Sequence, residues 1–264
     1  MDLELGGKKA VITGGSRGIG KSIAMSLAKE GVEVSICSRS MEALKSAARE
    51  IELETSQKVF FSEADTTSME SVNDFIEFSA TSLGGIDILI NNAAAPGGLV
   101  MGPLDTADPD ELLSDIDTKV VGYLRSAKAA APYMKSKGWG RIINIGGLAA
   151  RSGGAISGMR NLALSHFTKT LSNELGPFGI TVNIVHPGVT RTERTAPLNE
   201  KQAAENNLTV DEIEKKSAAN LDIRRIVESD EIAHLTTFLA SPKAAAITGE
   251  SIAAGGGAGS AVFQ

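Results

Sequence analysis

The chain has 264 residues, of which 42% are hydrophobic and 22% charged, and its formal net charge is −6. This length and composition suit a single globular domain with a sizeable core. The acidic balance argues against a nucleic-acid surface, because phosphate binding needs Lys and Arg clustered on one face.

The beginning of the sequence predicts a cytoplasmic protein. MDLELGGKKAVIT is acidic at its start and leads straight into a strand-like run, unlike a signal peptide. No apolar run approaches the length of a transmembrane helix. Cys37 is the only cysteine, so an intrachain disulfide is impossible, which fits a reducing compartment. We therefore expect no membrane and no nucleic-acid partner.

Short β-branched runs alternate with amphipathic segments of helical spacing. Buried parallel strands read as continuous apolar runs, and strand–helix alternation at this spacing implies right-handed crossovers onto one sheet. The sequence therefore predicts an α/β fold with a doubly wound parallel sheet and helices on both faces. The predicted strands are residues 9–13, 32–37, 58–65, 86–93, 140–146 and 180–188, and the predicted helices include residues 20–31, 41–54 and 70–83.

The run TGGSRGIG, residues 13–20, follows the first predicted strand and opens the first predicted helix. Gly14, Gly18 and Gly20 allow a tight turn, close approach of backbone N–H groups to a pyrophosphate, and close packing of helix on strand. The beginning of a helix also favours negative charge. This context predicts a dinucleotide-binding loop, with a structural turn that binds no ligand as the alternative.

The end of the second predicted strand favours NADP(H) over NAD(H). An acidic residue there would bind the ribose hydroxyls of NAD, whereas this chain has Ser38 and Arg39. Arg39, together with Arg17 of the glycine loop, can hold a 2′-phosphate through charge-assisted hydrogen bonds. The alternative is that both arginines are solvated surface residues.

Further motifs complete a pattern across nearly the whole chain: Asp65 after the third strand, NNAA at 91–94, GRIINI at 140–145 and PGVTRT at 187–192. In this order they resemble the short-chain dehydrogenase/reductase family. The resemblance implies a Rossmann-like fold, a nicotinamide cofactor, alcohol–carbonyl chemistry on a small-molecule substrate, and a homodimer or homotetramer built through two long helices. The residues expected to bind the cofactor are Gly14, Ser16, Arg17, Gly18, Ile19, Gly20, Ser38, Arg39, Asp65, Asn91, Pro187, Gly188 and Thr192.

The same resemblance implies four catalytic residues, and alignment on the shared flanks places a different residue type at each position. Ser157 stands at the position of the family's tyrosine and Asn161 at that of its lysine. Gly147 stands at the position of the serine, and Lys119 at that of the asparagine. A serine hydroxyl is shorter than a phenol and far less acidic, so Ser157 cannot simply replace a tyrosine.

The lysine and the asparagine are exchanged between two positions that neighbour each other in the family. We therefore predict Lys119, Ser157 and Asn161 as the candidate catalytic residues of an atypical active site. Lys119 would act in a rearranged proton path with a water, while Asn161 holds the water or the lysine stem. The alternative is drift, with Lys119 pointing into solvent.

Three functions remain open on the sequence: an NADP(H)-dependent oxidoreductase, a cofactor-binding pseudoenzyme that serves as an oligomer partner, and non-redox chemistry such as elimination or hydration in the same pocket. Tyr133 and Lys137 share the spacing of a catalytic pair but precede the strand GRIINI, on a surface segment, and are dismissed. The weaker candidates are His166 and His186 as acid/base groups and Arg151 and Ser152 as substrate contacts.

The least regular stretch, residues 190–226, is polar and charged. We call it the lid segment, because an insertion of this length is uncommon without a role, although a solvated surface insertion is an equal alternative. Thr209 and Glu212 within it have the spacing of a capping box.

Overall fold

The computed structural model describes residues 1–95, 100, 103–151, 153, 155–193 and 195–259. Within them the strands and helices alternate as the sequence predicts. The strands are β1 Lys9–Thr13, β2 Glu33–Ser38, β3 Val59–Glu63, β4 Ile88–Asn91, β5 Gly140–Ile145, β6 Ile180–Pro187, β7 Thr190–Arg191, β8 Val227–Glu228 and β9 Ser251–Ala254. The α-helices are α1 Gly18–Lys29, α2 Met41–Thr55, α3 Met69–Leu83, α4 Pro109–Ile116, α5 Gly122–Lys137, α6 Gly158–Leu175, α7 Thr195–Asn206, α8 Val210–Ala218 and α9 Ser229–Ala240.

Seven of the strands form one parallel sheet in the order β3-β2-β1-β4-β5-β6-β9. The order reverses beside β1, because the chain runs outward to β3 and then crosses back to β4 on the other side. Ligands of such sheets bind in the crevice at the carboxyl ends of the strands on either side of this switch. The predicted doubly wound, Rossmann-like fold is confirmed.

Helices cover both faces of the sheet, and two apolar clusters mark the two layers of the core. One cluster packs α1 and α9 against the sheet, and the other packs α3 and α5 against its opposite face. The central strands are buried along their whole length, as β5 and β6 show. Burial on both faces explains why their sequences read as continuous apolar runs rather than alternating ones.

Helix ends agree with the local sequence signals. Gly31 has φ +78°, a backbone conformation that favours glycine, immediately after α1. Helix α6 ends at Leu175, and Gly176–Phe178 then form a 3₁₀ turn. Thr209 and Glu212 form the predicted capping box at the beginning of α8.

The lid segment contains α7 and α8, bracketed by β7 and β8, which pair with each other in a small parallel ribbon. This short ribbon and the edge strand β9 are absent from the predicted elements. Strand β9 is small and half-exposed, Ser251–Ala254, so it has neither the length nor the apolar run by which the other strands are recognised. Its pairing with β6 extends the sheet by one strand.

Candidate functional site

A cleft of about 440 Å³ opens at the carboxyl ends of the strands, beside the switch in strand order. A cavity of this size holds part of a dinucleotide or a drug-sized molecule. Its walls combine the glycine loop, the end of β2 and the segments that follow β3 and β4. The lining residues are Gly14, Ser16, Arg17, Gly18, Ile19, Cys37, Ser38, Arg39, Ser40, Ala43, Ala64, Asp65, Thr66, Asn92, Ala93, Ala94, Ala95, Thr118 and Thr192.

The glycine loop has no room for a side chain at Gly14, Gly15 or Gly20. Gly14 has φ +67°, and a Cβ atom there would lie 2.9 Å from the Cα of Ala93. A Cβ atom on Gly20 would overlap the carbonyl oxygen of Gly14. The loop therefore passes close to the neighbouring backbone, and α1 begins at Gly18 without a cap from the side chain of its N-cap residue, Arg17. The Gly18 N–H donates to Glu193 Oε2 at 2.8 Å. The N–H groups at a helix N-terminus suit an anionic ligand such as a pyrophosphate.

The residues predicted to bind a 2′-phosphate all line the cleft, namely Arg17, Ser38 and Arg39. Asp65 also lines it, and its Oδ1 accepts hydrogen bonds from Thr67 N (2.9 Å) and Thr67 Oγ1 (2.8 Å). The Thr67 backbone N–H chiefly lowers the pKa of Asp65, with further lowering from Arg39 and Arg125. The cleft thus presents two guanidinium groups and one carboxylate, and the charge of Arg39 acts on that carboxylate.

Not every predicted cofactor residue reaches the cleft. Asn91 is fully buried, and its Nδ2 donates to Asn144 Oδ1 (2.9 Å), which joins β4 to β5. Gly20, Pro187 and Gly188 also lie outside its lining. The neighbouring Asn92, which the sequence reasoning did not select, lines the cleft instead.

Asn92 closes the base of the glycine loop. Its Nδ2 donates to Gly14 O (2.9 Å) and Thr13 O (3.2 Å), so it holds the loop in place from the next strand. The signal for Asn92 was present in the NNAA motif. It was missed because alternation along β4 cannot be assigned to a face when both faces of the strand are buried.

Lys119 is buried rather than solvated. It lies in a π-helical turn, Asp117–Val121, between α4 and α5, and only 4% of the residue is exposed. Its Nζ donates to the backbone oxygen of Gly146 at 2.9 Å, just past the end of β5. Burial lowers the pKa of Lys119 to about 8. The expectation under drift, a lysine that points into solvent, is wrong because the π turn faces the protein interior.

Asn161 meets the same stretch of backbone from the other side. It is buried in the first turn of α6, and its Nδ2 lies 3.1 Å from the place where a Cβ on Gly147 would stand. Helix α6 also packs against the π turn that carries Lys119. The structure therefore brings Lys119, Asn161 and Gly147 together behind the end of β5.

Ser157 is fully buried immediately before α6 and has a structural partner. Its Oγ accepts a hydrogen bond from Val100 N at 2.7 Å, and its own N–H donates to Val100 O at 3.2 Å. The hydroxyl thus anchors the segment after β4 to the beginning of α6. This placement leaves its oxygen engaged with backbone.

His186 is a structural residue behind the Gly146–Gly147 stretch. It is fully buried on β6, its Nδ1 lies 3.0 Å from both Gly147 N and Gly147 O, and its Nε2 lies 3.0 Å from Ser165 Oγ. The pKa of His186 is lowered to about 4, chiefly by burial and to a smaller extent by the positive charges of Arg151 and Lys119. His186 is therefore neutral at physiological pH. His166, by contrast, is exposed on α6.

A buried ion pair braces the two helices that hold these residues. Asp115 on α4 and Arg160 on α6 are 2% and 5% exposed, and their side chains are in direct contact. Asp115 lies four residues before Lys119 and Arg160 lies directly before Asn161. The sequence analysis did not identify this pair, since its members are 45 positions apart and neither belongs to a motif.

The remaining dismissed and weaker candidates have other partners or lie outside the described residues. Lys137 pairs with Asp87 (2.7 Å) at the end of α5, which supports its dismissal as a catalyst. Arg151 donates to Ser251 O at 2.8 Å. Ser152, the other predicted substrate contact, lies outside the residues that the structure describes.

Comparison with known proteins gives the family. Residues 14–259 match the family model described as "Enoyl-(Acyl carrier protein) reductase". The chain is 32% identical over 254 residues to the NADPH-dependent reductase BacG of Bacillus subtilis, which covers 95% of this chain and 97% of that protein. It is 34% identical to the 3-oxoacyl-[acyl-carrier-protein] reductase FabG of Aquifex aeolicus, over 97% of this chain and 99% of that protein.

The chain belongs to the short-chain dehydrogenase/reductase family.

A solved structure agrees with this assignment. The L-sorbose reductase of Gluconobacter frateurii, crystallised with NADPH and L-sorbose, superposes with a TM-score of 0.92 at 29% identity, covering 97% of this chain and 98% of that one. The cofactor named for BacG and for this reductase is the one predicted here from Ser38 and Arg39. As a member of the family, the chain has the fold and the glycine-loop cleft of a dinucleotide-dependent oxidoreductase.

Two further features bound the site within the described part of the chain. None of its helices combines the length and apolarity needed to cross a membrane. Over the same residues, no group of three His, Cys, Asp or Glu side chains could hold a metal ion.

Proposed function

We propose that this protein is an NADP(H)-dependent reductase of a small-molecule carbonyl compound, and that Lys119 supplies the proton in place of the family's tyrosine. One observation carries the proposal: a buried lysine, with its pKa lowered to about 8, lies behind the strand end next to the cofactor cleft. Such a pKa is near the operating pH of most enzymes, where a general acid is most effective.

The chain's own residues fit the cofactor. Gly14 and Gly20 let the glycine loop pack closely against Ala93, Asn92 and its own backbone, and the N–H groups at the beginning of α1 can bind the oxygens of a pyrophosphate. Arg39 and Arg17 can bind a 2′-phosphate, since no carboxylate stands at the end of β2 to repel it. When bound, NADPH supplies the hydride that reduces a carbonyl carbon.

The substrate oxygen then needs a proton, and Lys119 Nζ can deliver it through a water. The N–H bond of the ammonium breaks, the new O–H bond completes the alcohol, and the amine left on Lys119 takes a proton from solvent. Asn161 Nδ2, directed toward Gly147, is placed to hold the intervening water. Ser157 keeps its oxygen on Val100 and fixes the beginning of α6.

This assignment makes the active site atypical, because the resemblance places the family's serine, tyrosine and lysine at Gly147, Ser157 and Asn161. Carbonyl polarisation would then come from Lys119 or from a backbone N–H rather than from a serine hydroxyl. The buried position of Lys119 favours retained chemistry over drift, since burying an unused ammonium is costly.

The test measures NADPH oxidation against a panel of ketones, aldehydes and 3-oxoacyl thioesters, with protein purified from a host that contributes no reductase. We expect wild-type turnover on part of the panel and a loss of about 100-fold or more in Lys119→Met, in line with the usual contribution of a general acid. Lys29→Met, which replaces an exposed lysine at the end of α1, is the matched control and retains wild-type turnover. Wild-type rates in Lys119→Met would contradict the role of Lys119.

The same test distinguishes the two alternative functions, a cofactor-binding pseudoenzyme and an enzyme of non-redox chemistry. Binding of NADPH without turnover on any carbonyl would indicate a pseudoenzyme. Turnover of a substrate without oxidation of NADPH would indicate non-redox chemistry.

We also infer self-association in the cytoplasm, as a homodimer or homotetramer. A groove of about 280 Å³ between α5 and α6 is lined by Leu124, Ala131, Pro132 and Leu171. Leu124 is 48% exposed, and an exposed apolar face of this kind is typical of an interface. Light scattering on wild type and Leu124→Glu tests this, with a monomeric wild type as the contradicting result.

A further inference from the structure

Glu193 occupies the anion position at the beginning of α1. Its Oε2 accepts a hydrogen bond from the backbone N–H of Gly18 at 2.8 Å, and its Oε1 lies 2.8 Å from Lys21 Nζ. Burial raises the pKa of Glu193, but hydrogen bonds from Lys21 and Gly18 outweigh it and lower the pKa overall. The carboxylate is therefore ionised at neutral pH and saturates an N–H group of the glycine loop.

The same N–H group belongs to the loop that fits a pyrophosphate. Gly18 lines the cleft, and so does Thr192, the residue directly before Glu193. Two anions cannot share one helix N-terminus at close range, because their charges repel each other and they compete for the same donors.

Glu193 is also the connection between the cleft and the lid segment. Thr192 N donates to Thr195 Oγ1 (2.8 Å) at the beginning of α7. Arg191 forms two hydrogen bonds to Glu214 on α8 and one to Glu228. A displacement of Glu193 therefore acts on a stretch that is tied directly to both lid helices.

We propose that Glu193 is an affinity-determining latch: its carboxylate takes the place of a dinucleotide phosphate on Gly18, and cofactor binding displaces it and shifts the beginning of the lid segment. This inference rests on the proposed function for its ligand. It goes beyond that function in naming a residue that weakens binding and links occupancy of the cleft to the lid.

If Glu193 acts as this latch, removal of its carboxylate strengthens NADPH binding, although a polar contact with the protein is lost. Cofactor binding must break the Gly18–Glu193 contact, and the free energy needed for this makes the observed binding of the cofactor weaker. Glu193→Ala and Glu193→Gln should bind NADPH about threefold to tenfold more tightly than wild type, the modest range expected for a half-exposed charge-assisted hydrogen bond.

Glu50→Gln is the matched control. Lys21 pairs with Glu50 (3.0 Å) as well as with Glu193, so this variant removes a carboxylate from the same lysine without touching Gly18. Its Kd for NADPH stays at the wild-type value. The second probe is 2′-AMP, which has the 2′-phosphate but no pyrophosphate, and which binds wild type and Glu193→Gln equally.

The experiment is a fluorescence titration of NADPH, inorganic pyrophosphate and 2′-AMP into wild type and the three variants. Equal NADPH Kd values for wild type and Glu193→Ala, or weaker binding by the variant, would overturn the latch and leave the proposed function intact. If no variant binds NADPH or pyrophosphate, both inferences fail together. Pyrophosphate binding only when Glu193 is removed supports the latch by itself.

Hydrogen exchange tests the link to the lid. Saturating NADPH is expected to change the exchange of the peptide 190–206 in wild type, whereas 2′-AMP leaves it unchanged. In Glu193→Ala the same peptide already exchanges differently from wild type without ligand, because its anchor on Gly18 is gone. An exchange pattern that NADPH does not alter would show that Glu193 stays in place, which contradicts the latch.

Discussion

The cofactor cleft and the cluster behind β5 lie at the same edge of the sheet but differ in exposure and in the kinds of residues that form them. The cleft is open and is lined by backbone, small side chains and two arginines. The cluster is closed and holds a lysine, a histidine and an asparagine that are each almost fully buried. Burial strongly lowers the pKa values of Lys119 and His186 in the cluster, whereas the Thr67 backbone N–H chiefly lowers that of Asp65 in the cleft.

The difference shows how one edge can serve two tasks. A binding surface needs accessible donors and charge, so it can be assembled from strand ends and a helix N-terminus. Desolvation is one way to bring the pKa of a lysine toward neutral pH, and burial in the protein interior provides it. The π turn contributes here, because it places Lys119 in the interior with its Nζ on Gly146 O, just past the end of β5.

Removing one partner of the buried Asp115–Arg160 ion pair is expected to have the largest effect on stability. In Arg160→Met the carboxylate of Asp115 remains buried without its partner, which typically costs about 3 to 5 kcal/mol in the free energy of unfolding. Urea unfolding measures this loss. The double variant Asp115→Leu/Arg160→Met should recover most of it, since both charges are then absent.

An exposed pair sets the scale for that measurement. Lys201 and Glu205 form an ion pair one turn apart on α7, with their side chains 73% and 58% exposed. Lys201→Met should change the free energy of unfolding by less than about 0.5 kcal/mol. A loss in Arg160→Met as small as this would show that the Asp115–Arg160 contact is not a brace.

A smaller effect, confined to affinity, is expected on the cleft side. Arg39→Ala should weaken NADPH binding by about tenfold or more, the value of a charge-assisted hydrogen bond to phosphate, and leave NADH binding unchanged. Arg49→Ala, an exposed arginine on α2, is the control. Equal weakening of NADPH and NADH binding would mean that Arg39 contributes only general charge.

The sequence predicts the cleft better than it predicts the buried cluster. Gly14, Gly18 and Arg39 lie within a few residues of a strand end, and local rules of turn and helix initiation place them correctly. Lys119 was selected through the resemblance, but its burial and its bond to Gly146 depend on a π turn that no local signal marks. The hydrophobic periodicity of a sequence does not reveal the extra residue by which a π turn interrupts an α-helix.

Contacts between residues that are far apart in the sequence could not be predicted either, because no local pattern marks them. Asp115 with Arg160, and Gly18 with Glu193, each join elements that the sequence treats separately. Asn92 shows the limit within a motif: NNAA was recognised, but only the structure shows that its second asparagine reaches the glycine loop. Side-chain direction in a strand buried on both faces is set by tertiary packing.

The most direct test of the account is the pH dependence of kcat for carbonyl reduction at saturating NADPH, measured from pH 6 to pH 10. Reduction uses the protonated form of Lys119, whose pKa is about 8. We predict a constant kcat below about pH 7 and a fall approaching tenfold per pH unit above pH 8, because the amine form cannot donate. A kcat that stays constant through pH 9.5 would contradict Lys119 as the proton donor.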